Sequence, residues 1–570
     1  MKNYALYITS GFLLIIVSFY SCKQNEVQKP NIIFIMSDDH TTQAVGTYGS
    51  RLAGLNPTPT LDKLASEGMV FENCFVTNSI CTPSRACIIT GQYSQANGVL
   101  DLEGQIEPER QFLPKEMKKL GYQTAVVGKW HLEEEPAAFD FYTVLPGQGK
   151  YFDPTFRIQG EKPWPENTIK TKGHSTDVIT DITLDWFKNK RKKDQPFFLM
   201  HHYKAPHDDF ENAKRYDEYL ADTFIPEPES MYEYKNHGSV ATRGKNDSLT
   251  RVIGSSVSTR NLIRRQAHNI YPDSSLHRQY RNAKDIALEE LVPFDHTEEE
   301  KVKTSAVYQD YLKKYLRCVK GVDDNLARLF NYLEEEGLIE NTIIIYTGDQ
   351  GFMLGEHDYI DKRWMYDESL RMPFIVKYPK GIKAGQRTNA IINNTDFAPT
   401  MIEMAGGKNP SYMQGSSFET ILKTGEEPED WQKSSYYRYW MHLAHRHQNP
   451  AHFGLRSKDY KLIFFYGKYW VDTDDPNADW NKDSWGNDFT NHTPVAWEFY
   501  DLKKDPDEMN NAYSDPEYQD IIRELKKQLQ EKREELNETD KNFPHIQKVI
   551  DEYWDAEGVA SLTTQLPNKL

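Results

Sequence analysis

Residues 79–91 read Ser-Ile-Cys-Thr-Pro-Ser-Arg-Ala-Cys-Ile-Ile-Thr-Gly. Proline suits the first turn of a helix, where its missing N–H would have no partner anyway, so Pro83 predicts a helix start with Cys81 just ahead of it. Backbone N–H groups at such a start favour negative charge, and Arg85, one turn on, faces the same point. A cysteine held there has the chemistry of a thiolate nucleophile beside a cation. The plainer reading of the same residues is a buried cysteine at a helix cap. Four more clusters carry acids, bases and cations: Ser37-Asp38-Asp39-His40, Gly128-Lys129-Trp130-His131, the segment from His201 and His202 to His207, and Gly348-Asp349-Gln350-Gly351.

Each of these four clusters closes a short apolar run, at 31–36, 123–127, 197–200 and 342–346. Unbroken apolar runs of this length are the pattern of strands buried on both faces of a parallel sheet. A helical segment predicted over 305–336 stops at Gly337, just before the last run. Strand, helix, strand alternation predicts an α/β fold. Ligands of open parallel sheets sit beyond the carboxyl ends of the strands, so all four clusters are expected at one edge.

The 570 residues carry 85 acidic and 68 basic side chains, a net charge of −17. Non-specific nucleic-acid binding needs a basic stripe that releases counterions, so it is excluded. An anionic substrate must meet cations placed locally. Apolar residues are 38% of the chain, which allows a substantial core and rules out a polytopic membrane protein.

One stretch is long, apolar and uncharged: residues 5–20, after Lys2 and before Ser21-Cys22. It is shorter than the ~20 residues that span a bilayer and reads as an export signal. A small residue directly before Cys22 resembles a bacterial lipobox. On that reading residues 1–22 are a signal peptide with its lipobox and residues 23–29 a polar tether; cleavage by the ordinary signal peptidase, without a lipid, is the alternative. The expected location is the periplasm or outer membrane of a Gram-negative bacterium, with membrane contact only through lipidated Cys22. The other cysteines, Cys74, Cys81, Cys87 and Cys318, are too few for a disulfide framework.

From about 210 to 304 the chain is polar and reads as an insertion in a catalytic domain spanning 30–430. Aromatic and β-branched runs at 436–441, 454–456, 460–466 and 497–500 predict antiparallel strands. With an amphipathic helix over 515–537 they make a smaller C-terminal α+β domain, 431–570. The run Lys188-Asn189-Lys190-Arg191-Lys192-Lys193 is expected to be a solvated helix end.

Residues 79–91 resemble the maturation signature of type I sulfatases, the formylglycine-dependent branch of the alkaline phosphatase superfamily: Cys-x-Pro-x-Arg in a longer segment ending Thr-Gly. Gly121-Tyr122-Gln123-Thr124 followed by Gly128-Lys129-Trp130-His131 resembles the second signature of that family. Asp38 and Asp39 match its tandem acidic pair, and Asp349 its late acidic strand end. The likeness runs from about residue 30 to Asp507. It implies an alkaline-phosphatase-like sandwich, with a large mixed, mostly parallel sheet flanked by helices and a smaller C-terminal domain with an antiparallel sheet.

The resemblance also implies that a sulfatase-maturing enzyme oxidises Cys81 to formylglycine, whose hydrate is a geminal diol. One hydroxyl attacks sulfur, and the second then expels sulfate as the aldehyde re-forms; a serine or unmodified cysteine lacks that second oxygen. Asp38, Asp39, Asp349 and Gln350, with residue 81, are implied to hold one divalent cation, usually calcium (Ca2+) in the family. All-oxygen ligands suit such a hard ion. Where the family more often has Asn or His, this chain has Gln350. Arg85, Lys129, His131, His207 and Lys362 carry over as the sulfate clamp. Arg85 and Lys129 neutralise oxygen charge, His131 serves as base, and His207 with Lys362 protonates the departing alcohol.

The segment from Asp349 to His357, followed by Asp361-Lys362-Arg363-Trp364, resembles the carbohydrate-directed sulfatases. The expected substrate is a sulfated oligosaccharide, with an N-acetylhexosamine 6-sulfate first in line. His201 and His202 neighbour the sulfate position. His202, Arg363, His442, His452 and Arg456 are the charged or aromatic-flanked residues available to read a sugar. The aromatic run 436–440 either stacks on sugar rings or belongs to the core. Two other functions stand beside this one. A phosphate or phosphonate ester hydrolase on the same fold would show a serine or threonine nucleophile and often a second metal site, and the sequence has neither sign. A non-catalytic binder of sulfated glycans would have lost its nucleophile or ligands, whereas every motif position is filled.

Overall fold

The computed structural model describes residues 28–232, 236–242, 298–443, 449–477 and 492–556. The signal peptide with Cys22, and residues 243–297 of the polar insertion, lie outside them. The first apolar run forms β1 (Asn31–Asp38), buried along its length. Ile32, Phe34 and Met36 enter one hydrophobic core while Ile33 and Ile35 enter another, as alternating side chains must on a strand covered on both faces.

Nine more strands join β1 in the main sheet. They are β2 (Met69–Phe75), β3 (Gln123–Lys129), β4 (Phe141–Leu145), β5 (Thr155–Ile158), β6 (Thr168–Lys170), β7 (Phe197–Pro206) and β8 (Thr342–Gly348); then, after the ribbon β9 (Met353–Leu354) and β10 (Ile360–Asp361), β11 (Phe374–Lys377) and β12 (Gln386–Asn393). Their order is β12-β2-β11-β8-β1-β7-β3-β4-β5-β6. Only β11 and β5 oppose their neighbours, so the sheet is mixed and mostly parallel.

The four strands expected from the apolar runs lie side by side and parallel in the middle, as β8-β1-β7-β3. Their register matches too: Ser37 pairs with Gly348 on one side and Tyr203 on the other, and Gly128 pairs with His202. The chemically active segments therefore leave the sheet at one level. Gly128 is required there. Its φ is +105°, and a Cβ would fall 1.8 Å from the His202 carbonyl oxygen.

The helix Glu298–Glu335 begins before the predicted 305 and is followed by Gly337 at φ +64°. Its stripe of Tyr308, Leu312, Tyr315, Val319, Val322, Leu326, Leu329 and Leu333 packs into the second core. The described part of the insertion is not wholly solvated, since Phe210, Ile225 and Met231 join that same core. Lys188, Lys190, Lys192 and Lys193 are exposed at a helix end, as expected.

The C-terminal strands β13 (Ser434–Tyr439), β14 (His452–Ser457), β15 (Tyr460–Phe465) and β16 (Ala496–Asp501) form an antiparallel sheet in sequence order. One face, with Phe453, Leu462, Phe464 and Trp497, packs on Ile522, Leu525 and Leu529 of the helix Gln519–Glu535. The other face, with Tyr437, Tyr439, Ile463 and Phe465, enters the first core of the main sheet. The smaller unit thus shares a core with the larger one instead of closing on itself. Tyr436, Tyr437, Tyr439 and Trp440 are fully buried, which makes the aromatic run core.

Arg438, buried on β13, donates to Asp540 at 2.6 Å and lies 3.5 Å from the centre of the Trp440 ring. Arg533 of the helix shares the same carboxylate. Removing a shared buried counter-charge leaves cations uncompensated, so Asp540→Ala should cost about 3–5 kcal/mol. Urea denaturation of the purified protein measures this, and a loss below about 1 kcal/mol would show that the carboxylate does not hold the sheet to the helix.

Candidate active site

The helix Cys81–Thr90 starts at Cys81 itself, with Ile80 extended at its N-cap and Gly91 left-handed at its C-cap. Cys81 Sγ donates to Asp38 Oδ1 at 3.4 Å. Asp38 ends β1, and Asp39 follows at φ +65°, a conformation aspartate tolerates better than most residues. The Asp39 amide donates to Asp349 Oδ1 at 3.1 Å, tying the end of β8 to the end of β1. The Tyr315 hydroxyl of the long helix donates to the Asp39 carbonyl at 2.8 Å.

Cations enclose these acids. Arg85 donates to Asp349 Oδ2 from Nε at 3.1 Å and from Nη2 at 2.9 Å, and from Nη1 to the Lys129 carbonyl at 2.8 Å. Its planar fork thus braces β8 against β3. Lys129 Nζ donates to Asp38 Oδ2. Lys362 Nζ, presented just after β10, donates to both oxygens of Asp39 at 2.5 and 2.6 Å.

Oxygens of Asp38, Asp39 and Asp349 lie within 4.8 Å of one another, and all three residues are fully buried. Burial raises Asp39 to about 7 and Asp349 to about 6, with neighbouring carboxylates adding to both. Burial also raises Asp38, but Lys129, His207, Arg85 and Lys362 together hold it well below the usual carboxylate range. Gln350 donates from Nε2 to Asp39 Oδ1, while its buried Oε1 has no partner. Three converging carboxylates and an orphaned amide oxygen fit a hard divalent cation, with the Gln350 amide turned to offer oxygen.

The thiolate expected at residue 81 is corrected by this setting. Burial and the Asp38 charge push the Cys81 thiol up to about 12, outweighing Lys129 and Lys362. As an unmodified cysteine, residue 81 is thus biased toward the neutral thiol, the weaker nucleophile.

His131, at φ +54°, has Nδ1 3.5 Å from Thr82 Oγ1. Burial, then Lys129 and Arg85, keep its imidazole neutral. His207 donates from Nδ1 to the Asp208 carbonyl, and its Nε2 lies 3.8 Å from Asp39 Oδ2. Burial and Lys362 disfavour its charged form. His202 donates from Nδ1 to the Lys129 carbonyl at 3.0 Å, which makes it a support of Lys129. His201 points through the sheet to Thr183 Oγ1, at 2.8 Å, on the helix Ser175–Asp185.

Of the residues expected to read a sugar, Arg363 stays beside Lys362 and donates to Asp361 at 2.6 Å. The other three lie within the small sheet or beside it. His452 is packed 4.8 Å from Phe465 and 5.5 Å from Tyr437, and burial lowers it to about 4, as for a core histidine. His442 Nδ1 accepts from the Ala451 amide at 3.1 Å. Arg456 donates to Asp367 at 2.8 Å in a buried network with Lys461 and Glu508, and all its partners lie outside the acidic cluster.

Two site neighbours escape a reading by motif. Gln148 Oε1 accepts from Lys129 Nζ at 2.6 Å, and the Tyr151 hydroxyl donates to the His207 carbonyl at 2.5 Å. The available signal was the pair of glycines around Gln148. The four cysteines of the described chain are all buried and unbridged.

Residues 30–407 match the family profile described as Sulfatase, and residues 355–480 and 488–535 match N-sulphoglucosamine sulphohydrolase, C-terminal. The chain is 39% identical over 544 residues to an N-acetylglucosamine-6-O-sulfatase of Bacteroides thetaiotaomicron, covering 92% of this chain and 90% of that protein. It is 27% identical over 419 residues to the N-acetylglucosamine-6-sulfatase of Capra hircus, covering 70% and 64%. A solved structure of a protein in complex with its substrate D-glucosamine-2-N,6-O-disulfate matches with a TM-score of 0.73 and 37% identity over 90% of this chain and 99% of that one. With its nucleophile position, acidic cluster and surrounding cations in one place, the chain belongs to the sulfatase family and is a sulfuric ester hydrolase.

Proposed function

We propose that this sulfatase removes 6-O-sulfate from N-acetylglucosamine or glucosamine units of sulfated glycans, using formylglycine at residue 81 and a calcium ion. The observation that carries the chemistry is the Cys81 side chain set against Asp38, inside three buried carboxylates and under Arg85, Lys129 and Lys362. The choice of sugar draws support from the glucosamine-directed relatives.

The Cys81 Sγ stands where an oxygen of the matured residue would sit. Formylglycine there supplies a hydrated aldehyde with two hydroxyls, one to attack sulfur and one to release sulfate afterwards. Asp38, Asp39, Asp349, the Gln350 amide oxygen and residue 81 would hold the calcium ion, which would supply positive charge beside the nucleophile and the sulfate. Arg85 and Lys129 converge on Asp38 from two sides, so an anion beside residue 81 meets both cations. Neutral His131 can take a proton, which an imidazolium could not. On His207 the Asp208 carbonyl takes the hydrogen on Nδ1, so Nε2 faces the site; a proton taken up on Nε2, or one from the Lys362 ammonium alongside, is what passes to the departing oxygen. Because Cys81 is 1% exposed, the maturing enzyme must act on the chain before it folds.

The apolar run 5–20 and the Ser21-Cys22 pair support a reading in which lipidated Cys22 holds the enzyme in the periplasm or on the outer membrane. Among the described residues no helix is long and apolar enough to cross a membrane.

Assay of the purified enzyme on defined sulfated saccharides tests the substrate. Glucosamine 6-sulfates should be cleaved at least about tenfold faster than 2-, 3- or 4-sulfates, and equal rates on all would reject the assignment. Chelation should abolish activity, and calcium should restore it better than zinc, because the cluster is built from carboxylates and an amide. Preferential rescue by zinc would point to phosphatase-like chemistry. His207→Ala should slow hydrolysis of a sugar sulfate by about 10²–10⁴ but slow an activated aryl sulfate far less, since a phenolate leaves without protonation. Equal losses on both substrates would limit His207 to binding.

A further inference from the structure

We propose that Gln148 contacts the sulfate ester, donating from its side-chain amide to a sulfate oxygen while its carbonyl oxygen holds Lys129. The inference rests on the placement of sulfate beside residue 81 proposed above. Gln148 lies on the loop that leaves β4, at the same sheet edge as the other site residues. Its neighbours Gly147 and Gly149 have φ of +50° and +68°, left-handed conformations that glycine adopts without strain. The tight turn they make raises one side chain over Lys129.

The orientation of that side chain is fixed by chemistry. Lys129 Nζ can only donate, so the Gln148 atom 2.6 Å from it is the carbonyl oxygen. In a planar amide the nitrogen is about 2.2 Å from that oxygen, which places the two N–H donors within about 5 Å of Lys129 Nζ. Lys129 Nζ in turn touches Asp38, the partner of Cys81. No acceptor among the described residues takes a hydrogen bond from Gln148 Nε2, and the side chain is partly exposed. Three residues on, Tyr151 holds the His207 carbonyl, so one loop spans both the nucleophile side and the leaving-group side.

A neutral donor suits this position. Arg85, Lys129 and Lys362 already bring three positive charges to the acidic cluster. A sulfate monoester carries a single negative charge over three oxygens. An amide adds a hydrogen bond to it without adding charge that would favour a phosphate dianion.

The test uses two variants of the matured, calcium-loaded enzyme. Gln148→Glu keeps an oxygen for Lys129 but removes both donors, and Gln148→Met removes donors and acceptor without adding charge. Each should lower kcat/KM for an aryl sulfate and for glucosamine 6-sulfate, the first by about 10²-fold or more and the second by at least about tenfold, with unchanged melting temperature. Inhibition by inorganic sulfate should weaken at least about tenfold in both. Because the glutamate also repels sulfate by its charge, a crystal structure of the matured, calcium-loaded enzyme with inorganic sulfate separates a donor from a mere support of Lys129: Gln148 Nε2 should lie within about 3.2 Å of a sulfate oxygen, and a sulfate out of its reach would show that Gln148 only holds Lys129. That result, or wild-type values for Gln148→Met, overturns the inference while leaving the proposed chemistry intact. A wild-type enzyme inactive on every sulfate ester overturns both.

Discussion

Three carboxylates buried within 4.8 Å of one another are the constraint to which the rest of the molecule answers. Like charges at that spacing repel strongly where water is excluded, and each pays for its own desolvation as well. Arg85, Lys129 and Lys362 offset part of this, one against each carboxylate. They do not offset all of it, since Asp39 and Asp349 remain raised toward neutral pH. A divalent cation held there would offset the remainder.

Holding those groups so close requires a frame that does not yield. Parallel strands β8, β1, β7 and β3 supply it, because their matched register brings four chain segments out at one level. Side-chain bonds then lock neighbouring strand ends together: the Asp39 amide to Asp349, the Arg85 fork from Asp349 to the Lys129 carbonyl, and His202 to that same carbonyl. Each of these bonds joins residues far apart in sequence, so the site cannot form until the sheet has.

This also decides how much could be read beforehand. The central strands were legible because a strand buried on both faces leaves an unbroken apolar run, and the acids and bases follow those runs directly. Cys81, Arg85, Lys129, His207 and Lys362 were legible through their motifs. The charge state of Cys81 was not. Helix position and Arg85 argue for a thiolate, and only the folded chain shows that Asp38 and burial win. His452 and Arg456 look like binding residues in one dimension, yet their environments come from strand pairing and from Asp367, which lies some ninety residues away. Gln148 carries no motif chemistry of its own; its role arises from where two glycines place it.

The small C-terminal sheet is part of the site's frame, and a domain boundary near residue 431 understates it. The Tyr437 hydroxyl on β13 accepts from the Ser79 amide at 3.4 Å, two residues before the nucleophile, and donates to the Arg363 carbonyl at 2.8 Å, one residue after Lys362. One phenol therefore fixes the distance between the segment that carries residue 81 and the segment that carries the cation on Asp39. The same face of the sheet buries Tyr439 and Phe465 in the core beneath the main sheet. Burial of this kind costs several kcal/mol to undo, so the sheet cannot move as an independent lid. The second unit acts as a buttress: through Tyr437 it ties the segment carrying Lys362 to the segment carrying residue 81, and so helps hold the Lys362 ammonium against Asp39 in the acidic cluster.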